Sequence, residues 1–182
     1  MNYITLHKSG FTLVEILVAI SILSIAILAT FTAVSQSLRA TNFSEDQIIA
    51  YHLADEALEY IRNKRDSNAI QHIVAFGSGN TYGWLSGITV PCTTACYVDV
   101  PNDAITACSG NAASCPVLSY GTSGQYNGLY QYTSGTGTMY KRSVALTMIN
   151  ATEASFVVTV SWTAQNISKN YTQTMVLKNW TE

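Results

Sequence analysis

Charge is scarce in this sequence of 182 residues. It has 9 basic and 11 acidic side chains, so charged residues make up 11% of the chain. Hydrophobic residues contribute 48%, a composition that can bury a core and argues against intrinsic disorder. The basic residues form no stripe of the kind that a nucleic-acid backbone requires. The charge pattern therefore does not predict nucleic-acid binding.

Catalytic motifs are missing as well. The sequence has no G-x-S-x-G motif, no phosphate-binding glycine loop and no cysteine nucleophile with an evident histidine partner. We therefore expect no catalytic residue, no cofactor and no enzymatic activity.

Two groups of side chains have spacings that occur in metal sites, and each has a simpler explanation. His52 and Glu56 lie four residues apart on a predicted helix, with Glu59 one turn further, but the polar face of any helix produces this spacing. Asp99 and Asp103 could bind calcium together with loop carbonyls, although two carboxylates in a loop serve solubility equally well. We predict no metal site.

Charge is nearly absent from Phe11 to Val34, where Glu15 is the only ionisable residue. The run is long enough to cross a bilayer as a helix, and Lys8 on its N-terminal side favours a cytoplasmic N-terminus. A secretory signal peptide would have a shorter apolar region. A plain uncleaved anchor would not explain a carboxylate placed in hydrocarbon. We predict a short leader at residues 1–10 and a transmembrane helix at 11–34.

Glycine and proline are absent from Ser35 to Ser67, so nothing breaks the helical pattern beyond the membrane segment. Apolar residues such as Leu53, Ala57 and Ile61 recur there at spacings of three or four, as on one side of an amphipathic helix. We expect residues 35–68 to form the soluble half of one long helix.

Two segments with different composition and hydrophobic pattern follow the predicted helix. Glycine, serine, proline and asparagine are frequent at 69–139, which predicts an irregular, cysteine-bearing loop region. Alternating apolar residues then predict an antiparallel β-meander at 140–182, with polar turns at Asn150–Glu153 and Gln165–Asn170. The apolar face of the meander needs a cover, which the helix can supply. The predicted fold is α+β, with a long N-terminal helix packed on an antiparallel C-terminal sheet.

The four cysteines, Cys92, Cys96, Cys108 and Cys115, all lie in the loop region. An even count in a chain that leaves the cytoplasm suggests two disulfides, for which three connectivities exist. Zinc sites use short paired spacings, whereas the gaps here are three, eleven and six residues. Neighbouring Gly and Ser residues favour the local pairs Cys92–Cys96 and Cys108–Cys115, but the sequence leaves the connectivity open.

The start of the apolar run resembles a known processing signal. Lys8-Ser9-Gly10 followed by Phe11-Thr12-Leu13-Val14-Glu15 resembles the cleavage and methylation signature of type IV prepilins and pseudopilins. The resemblance implies that a prepilin peptidase cuts between Gly10 and Phe11 and methylates the new Phe11 amine. It also implies a role in assembly for Glu15, whose carboxylate could pair with the Phe11 amine of a neighbouring subunit and neutralise two desolvated charges.

Finer features are similar to PilV-type minor pilins. They are the segment 53–68, the opening Tyr140-Lys141-Arg142 of the meander and the closing Asn179-Trp180. One feature departs from many major pilins, which have a helix-kinking Pro about where Thr32 stands. We therefore expect a straighter helix.

The resemblance implies a structural function. We expect a subunit of a type IV pilus or related pseudopilus, more specifically a minor pilin, whose partners are prepilin peptidase, other pilin subunits and the cytoplasmic (inner) membrane. Before assembly the chain would be a single-pass membrane protein with an extracytoplasmic C-terminal domain, and afterwards part of a cell-surface filament or pseudopilus. The alternative is a tip-located binding module or adhesin for a surface, DNA or a secreted substrate. Tyr126, Tyr130 and Tyr132 would then be candidate contacts.

Overall fold

The computed structural model of the protein describes residues 10–74, 83–164 and 166–180. Its first element, α1 (Leu13–Val74), is a helix of 62 residues. The chain divides within α1 into two compact units, residues 1–45 and 46–182. The predicted leader, apart from Gly10, lies outside the described residues.

Helix α1 ends later than predicted, at Val74 instead of Asn68. No glycine or proline occurs between Ser35 and Gly77, so nothing in the chain stops the helix near the expected end. Asn68 is also buried, and its side-chain amide donates to the carbonyl oxygens of Trp84 at 3.2 Å and Ser86 at 2.9 Å. The polar residue at the expected helix end therefore anchors the segment that follows.

In its described residues, the second unit combines the C-terminal part of α1 with one short helix, three 3-10 turns and seven strands. The short helix and the strands are α2 (Thr89–Cys92), β1 (Cys96–Asp99), β2 (Ala104–Ala107), β3 (Val117–Tyr120), β4 (Tyr130–Gln131), β5 (Thr136–Asn150), β6 (Glu153–Ala164) and β7 (Ile167–Lys178). All seven strands belong to one antiparallel sheet.

The region 69–139 is more regular than predicted, because the end of α1, the turn α2 and strands β1–β4 lie in it. Strand β1 pairs with β2 and reaches β5 where Cys96 faces Val144. Strand β3 pairs with β4 and reaches β5 where Val117 faces Lys141. Each of these strands has only two to four residues, too few for an alternating pattern to stand out among glycines and serines.

The meander of β5, β6 and β7 has the predicted antiparallel order, with longer strands than predicted. Strand β5 begins at Thr136, and β7 begins at Ile167, inside the predicted turn Gln165–Asn170. Asn166 adopts a φ of 65°, the left-handed conformation that asparagine tolerates better than most residues. This conformation allows the chain to reverse more tightly than the polar sequence suggested.

The predicted α+β fold is confirmed by the packing of the second unit. Leu53, Ala57 and Ile61 on α1 are at most 3% exposed. On β6 the alternate residues Phe156, Val158, Val160 and Trp162 are buried to the same extent. The helix stripe and the apolar sheet face belong to one hydrophobic core, in which each large apolar side chain contributes about 1.5–3 kcal/mol.

Candidate functional site

The chain around the predicted cleavage position is non-helical and exposed. Gly10, Phe11 and Thr12 precede α1, and 79% of the Phe11 surface is exposed. Thr12 caps the helix, because its Oγ1 accepts a hydrogen bond from the Glu15 amide at 3.3 Å and its carbonyl accepts from the Ile16 amide at 3.2 Å. The side-chain bond satisfies the Glu15 amide, which would otherwise have no partner at the helix start.

The Thr12 cap was not anticipated from the sequence, although a signal for it was present. Thr12-Leu13-Val14-Glu15 has the S/T-x-x-E pattern that marks helix N-termini. The cap places the Gly10–Phe11 bond just outside the helix and places Glu15 in its first turn, where the helix dipole favours a negative charge.

Four hydroxyl groups within the apolar helix are satisfied by the helix itself. Each donates to a backbone carbonyl three or four residues earlier: Ser21 to Leu17, Ser24 to Ile20, Thr30 to Ile27 and Thr32 to Ala29, at 2.7–2.9 Å. Such internal bonds let small polar residues lie in hydrocarbon. The structure gives the Glu15 carboxylate no hydrogen bond or ion pair among the described residues. Glu15 is therefore the one charged side chain of this segment, and the described residues supply no partner for it.

The first part of α1 has the composition of a membrane span. An 18-residue window of the helix has a mean hydropathy of 2.5, and none of it is buried. Its apolar side chains are at least half exposed, among them Ile16, Leu23 and Phe31. A surface of this kind in a monomer requires lipid or other subunits to cover it.

The cysteines form two local disulfides in the structure. Cys92 is bonded to Cys96, and Cys108 is bonded to Cys115. The first bond joins α2 to β1 and has no exposed surface. The second closes the loop between β2 and β3. At the start of this loop the Cys108 amide donates a hydrogen bond to the Ala95 carbonyl at 2.9 Å.

A fully buried arginine joins the helix to the sheet and was not predicted from the sequence. Arg142 on β5 has no exposed surface. Its guanidinium donates to the carbonyls of Leu53 at 2.8 Å and Val98 at 2.6 Å, and to the Glu56 carboxylate at 2.7 Å. The alternation of β5 contains a signal for this position, because Arg142 falls in the same period-2 series as Val144 and Leu146, which face the core.

His52 and Glu56, which have the spacing of a metal site, differ in their surroundings from the simple solvated face that was predicted. Glu56 is held by Arg142, and no group of three metal-binding side chains occurs in residues 10–74, 83–164 or 166–180. Both residues line an open cleft of about 380 Å³ together with Leu129 and Tyr130. Its wall is mostly apolar.

Asp99 and Asp103 have different hydrogen-bond partners. The Asp103 carboxylate accepts hydrogen bonds from the Tyr60 hydroxyl at 2.7 Å and the Lys64 ammonium at 3.2 Å, which together lower its pKa. Burial raises the pKa of the Tyr60 hydroxyl, and the neighbouring Asp103 carboxylate raises it further. Asp99 is buried and accepts from the Asn102 amide at 2.9 Å.

The three tyrosines of the predicted binding loop are mainly packed against the domain. The Tyr126 hydroxyl donates to Asn102 at 2.8 Å. The Tyr130 ring lies 5.2 Å from Tyr120 and 6.3 Å from Tyr140, both edge-on, and the Tyr132 ring lies 4.5 Å from Tyr97. Contacts of this geometry stabilise a fold.

Comparisons with known proteins agree with the geometry of the N-terminal segment. Residues 6–31 match the family described as the prokaryotic N-terminal methylation motif. Over 77 residues the chain is 30% identical to type II secretion system protein I of Vibrio cholerae serotype O1. Both matches support the resemblance of this chain to type IV prepilins and pseudopilins. The predicted resemblance is thereby confirmed.

The extent of these matches is limited. The aligned stretch is 42% of this chain and 66% of the secretion protein, just under two thirds of that relative's length. No solved structure matches the chain. The family model covers residues 6–31, and the architecture of the second unit rests on its own geometry.

Proposed function

We propose that this protein is a minor structural subunit of a type IV pilus or related pseudopilus, matured by prepilin peptidase between Gly10 and Phe11. The observation that carries the proposal is the start of α1. There a capped helix presents one unpaired carboxylate, Glu15, at the head of an otherwise satisfied apolar surface. The similarity to a type II secretion system protein supports the pseudopilus in particular.

Cleavage would change the charge balance at this helix start. It would create a free amine on Phe11, which the resemblance implies is then methylated, and this amine would lie at the membrane close to Glu15. Two isolated charges in a low-dielectric environment are strongly unfavourable, whereas a pair of opposite charges neutralises both. Pairing of Glu15 in one subunit with the Phe11 amine of the next would therefore fix the axial register of packed helices.

The apolar surface of the first unit would serve in two environments. Before assembly it would be covered by the cytoplasmic membrane, with the second unit outside the cytoplasm. After assembly it would be covered by the helices of other pilin subunits. Burial of this surface, at about 25 cal/mol per Å² in either place, keeps the exchange between membrane and filament close to neutral.

Mass spectrometry tests the maturation step. The full chain is extracted from membranes of cells with and without prepilin peptidase, and its N-terminal peptide is sequenced. We expect a chain that begins at N-methylated Phe11 only when the peptidase is present, and an uncut chain for Gly10→Val in the same cells. A chain that keeps residues 1–10 in the presence of active peptidase would contradict the proposal.

The alternative function, a tip-located binding module, rests on the cleft beside Leu129 and Tyr130. Leu129 is 44% exposed, and the cleft is large enough for a small ligand or a side chain of a partner. Substitution of the exposed Leu129 by serine, which leaves the packed Tyr130 ring in place, separates the two functions. Filaments that assemble normally but lose attachment favour the binding module, and loss of assembly favours the structural role.

A further inference from the structure

Four aromatic rings follow one another from the core of the second unit to its surface. Trp162 on β6 and Tyr140 on β5 are 3% and 4% exposed, and their ring centroids are 6.2 Å apart. Tyr130 follows at 6.3 Å from Tyr140, and Tyr120, which is 41% exposed, follows at 5.2 Å from Tyr130. Rings at these distances pack favourably, and they are also close enough for rapid electron transfer. We call these four rings the aromatic series.

The two buried rings of the series differ in what receives their protons. Nε1 of Trp162 is buried without a hydrogen-bond partner in the described part of the chain, and an indole N–H can only donate. The Tyr140 hydroxyl, in contrast, donates to the Asp46 carboxylate at 3.2 Å. A tyrosine that gives its proton to a base is oxidised more easily than a tryptophan that keeps its proton. An electron lost from Trp162 is therefore expected to be replaced by one from Tyr140.

The two outer rings of the series lead to the solvent. Tyr130 is half-buried and lines the open cleft of the second unit. Tyr120 is exposed enough for a dissolved molecule to contact its ring. Because water is available to take up and return their hydroxyl protons, both tyrosines can lose and regain an electron without a buried base.

We propose that the aromatic series is a path that carries oxidising equivalents from Trp162 in the core to Tyr120 at the surface. The path goes beyond the proposed role in filaments and does not depend on it. Trp162 belongs to the hydrophobic core, so permanent oxidation would add polar oxygen atoms where no partner is provided, which is destabilising. A path that returns the electron quickly protects the core from this damage.

Electrons and protons balance at each step. A dissolved one-electron oxidant, such as the carbonate radical anion, takes an electron from Trp162 and becomes carbonate. Tyr140 gives an electron to the oxidised indole and its hydroxyl proton to Asp46, and becomes a neutral tyrosyl radical. Tyr130 then gives an electron to Tyr140, which regains its proton from Asp46, while the Tyr130 proton goes to water. Tyr120 reduces Tyr130 in the same way, with water as the proton carrier. A dissolved thiol finally gives Tyr120 an electron and a proton.

Time-resolved absorption of the full chain in detergent micelles tests the first transfer. The sequence has three tryptophans, so Trp84→Phe and Trp180→Phe leave Trp162 as the one indole. A light pulse at wavelengths that tryptophan absorbs and tyrosine does not then ionises Trp162. We expect the indole radical to decay at the rate at which tyrosyl radical appears, and Tyr140→Phe to lose most of the tyrosyl signal. An undiminished tyrosyl signal in Tyr140→Phe, or none in the chain that keeps Tyr140, would overturn the proposal.

A matched control is Tyr171→Phe in the same background. Tyr171 lies on β7 opposite Val160, and its ring pairs with Tyr51 at 5.8 Å, outside the aromatic series. We expect the decay of the indole radical and the yield of tyrosyl radical to stay unchanged. Loss of the tyrosyl signal in this variant would show that the electron reaches Trp162 from another ring, which contradicts the proposed path.

The proton step has its own variant, Asp46→Asn. An amide is not a base that takes the Tyr140 proton, so we expect the indole radical to decay more slowly. Decay at the unchanged rate would show that Asp46 does not receive the proton and would overturn this step of the path.

Radical trapping tests the outer end of the series. The variant with Trp162 as the one indole is illuminated in the presence of a nitroso spin trap, and the labelled residue is located by peptide mapping. We expect the label on Tyr120, and we expect Tyr130→Phe to lose it although the indole radical still decays. A label that stays on Tyr120 in Tyr130→Phe would overturn the proposal. This variant also keeps the test conclusive if Tyr140→Phe fails to fold.

Discussion

Nη1 of Arg142 donates to Oε2 of Glu56 at 2.7 Å, and the two partners are unequally buried. The Arg142 side chain has no exposed surface, whereas 36% of the Glu56 side chain is exposed. Removal of the carboxylate would leave a cation in the core with two backbone carbonyls as its acceptors. Removal of the cation would leave a carboxylate that can reach water. The energetics of this pair should therefore be asymmetric.

The first prediction concerns the dependence of Glu56 on Arg142. We expect Glu56→Ala to lower the free energy of unfolding by about 3 kcal/mol in the otherwise unchanged chain. In an Arg142→Met background the same substitution should cost no more than about 0.5 kcal/mol, because Glu56 is then an ordinary surface residue. Urea unfolding of the detergent-solubilised chain, followed by tryptophan fluorescence, measures both values.

A neighbouring pair supplies the control for this cycle. Glu59 and Arg62 form an ion pair on the same helix, with 55% and 46% of their side chains exposed, so Glu59→Ala should change the unfolding free energy by less than about 0.5 kcal/mol. An equal effect of Glu56→Ala with and without Arg142 would show that the buried pair is not coupled.

The second prediction separates the two disulfides by their burial. Cys92 and Cys96 have no exposed surface, whereas Cys108 is partly exposed. Under native conditions we expect a reductant to open Cys108–Cys115 first, and Cys92–Cys96 only when the domain unfolds, because thiol exchange needs access to the sulfur. Alkylation followed by peptide mapping reports which bond has opened and also tests the connectivity. Simultaneous reduction of both bonds would refute the predicted order. A bond between one cysteine of each pair in the unreduced protein would refute the connectivity.

The disulfides also differ in the expected effect on stability. Each disulfide closes a short loop, and the loss of chain entropy in the unfolded state should raise the free energy of unfolding by about 2 kcal/mol per bond. Cys108→Ala with Cys115→Ala should cost about that amount. Cys92→Ala with Cys96→Ala should cost about 1–2 kcal/mol more, because it also leaves a cavity in the core. Equal costs for the two double variants would argue against the burial difference.

The sequence predicted those elements of the fold in which many residues repeat one hydrophobic pattern. The apolar run predicted the exposed apolar part of α1, and the period-2 alternation of β6 predicted its buried face from Phe156 to Trp162. The stripe of Leu53, Ala57 and Ile61 was correctly matched to that face. In each case many residues repeat the same signal, so a single exception does not obscure it.

Features that depend on one residue and a distant partner were not predicted. Arg142 continues the inward series of β5, but an arginine there is stable only because Glu56, Leu53 and Val98 bring acceptors to it. The end of α1 was predicted too early, although no glycine or proline stops the helix before Gly77. The burial of Asn68 against the carbonyls of Trp84 and Ser86 has no local signal in the sequence. Strands β1 to β4 are too short to show a period.

The third prediction concerns Glu15 in assembly. We expect Glu15→Ala and Glu15→Leu to be cleaved at Gly10 nearly as well as the unchanged chain but to be largely absent from filaments. Without the carboxylate, the Phe11 amine of a neighbour would remain desolvated and unpaired. Cleavage is measured by the mass of the membrane-extracted chain, and incorporation by the amount of the subunit in sheared filaments. Glu45→Ala, on the same helix outside the apolar run, is the control. Normal incorporation of both Glu15 variants would show that the charge pair is dispensable.

The fourth prediction concerns acid stability and follows from Asp103. Its carboxylate accepts from the Tyr60 hydroxyl at 2.7 Å and from Lys64 at 3.2 Å, and these contacts, with Tyr60 the stronger, lower its pKa from the ordinary 3.8. A carboxyl group with a lowered folded-state pKa stabilises the fold above its unfolded pKa. That contribution is lost as the pH falls through the lowered value.

Between pH 5 and pH 2 the unchanged chain should therefore lose more stability than Asp103→Asn. The difference should stay below about 1 kcal/mol, because 74% of the Asp103 side chain is exposed and solvent screens the pair. Urea midpoints across this pH range measure the effect. Tyr60→Phe should show part of the same change, since it removes the stronger of the two contacts while the Lys64 contact remains. Parallel pH profiles for the unchanged chain and Asp103→Asn would mean that the contacts of Asp103 contribute nothing to the fold.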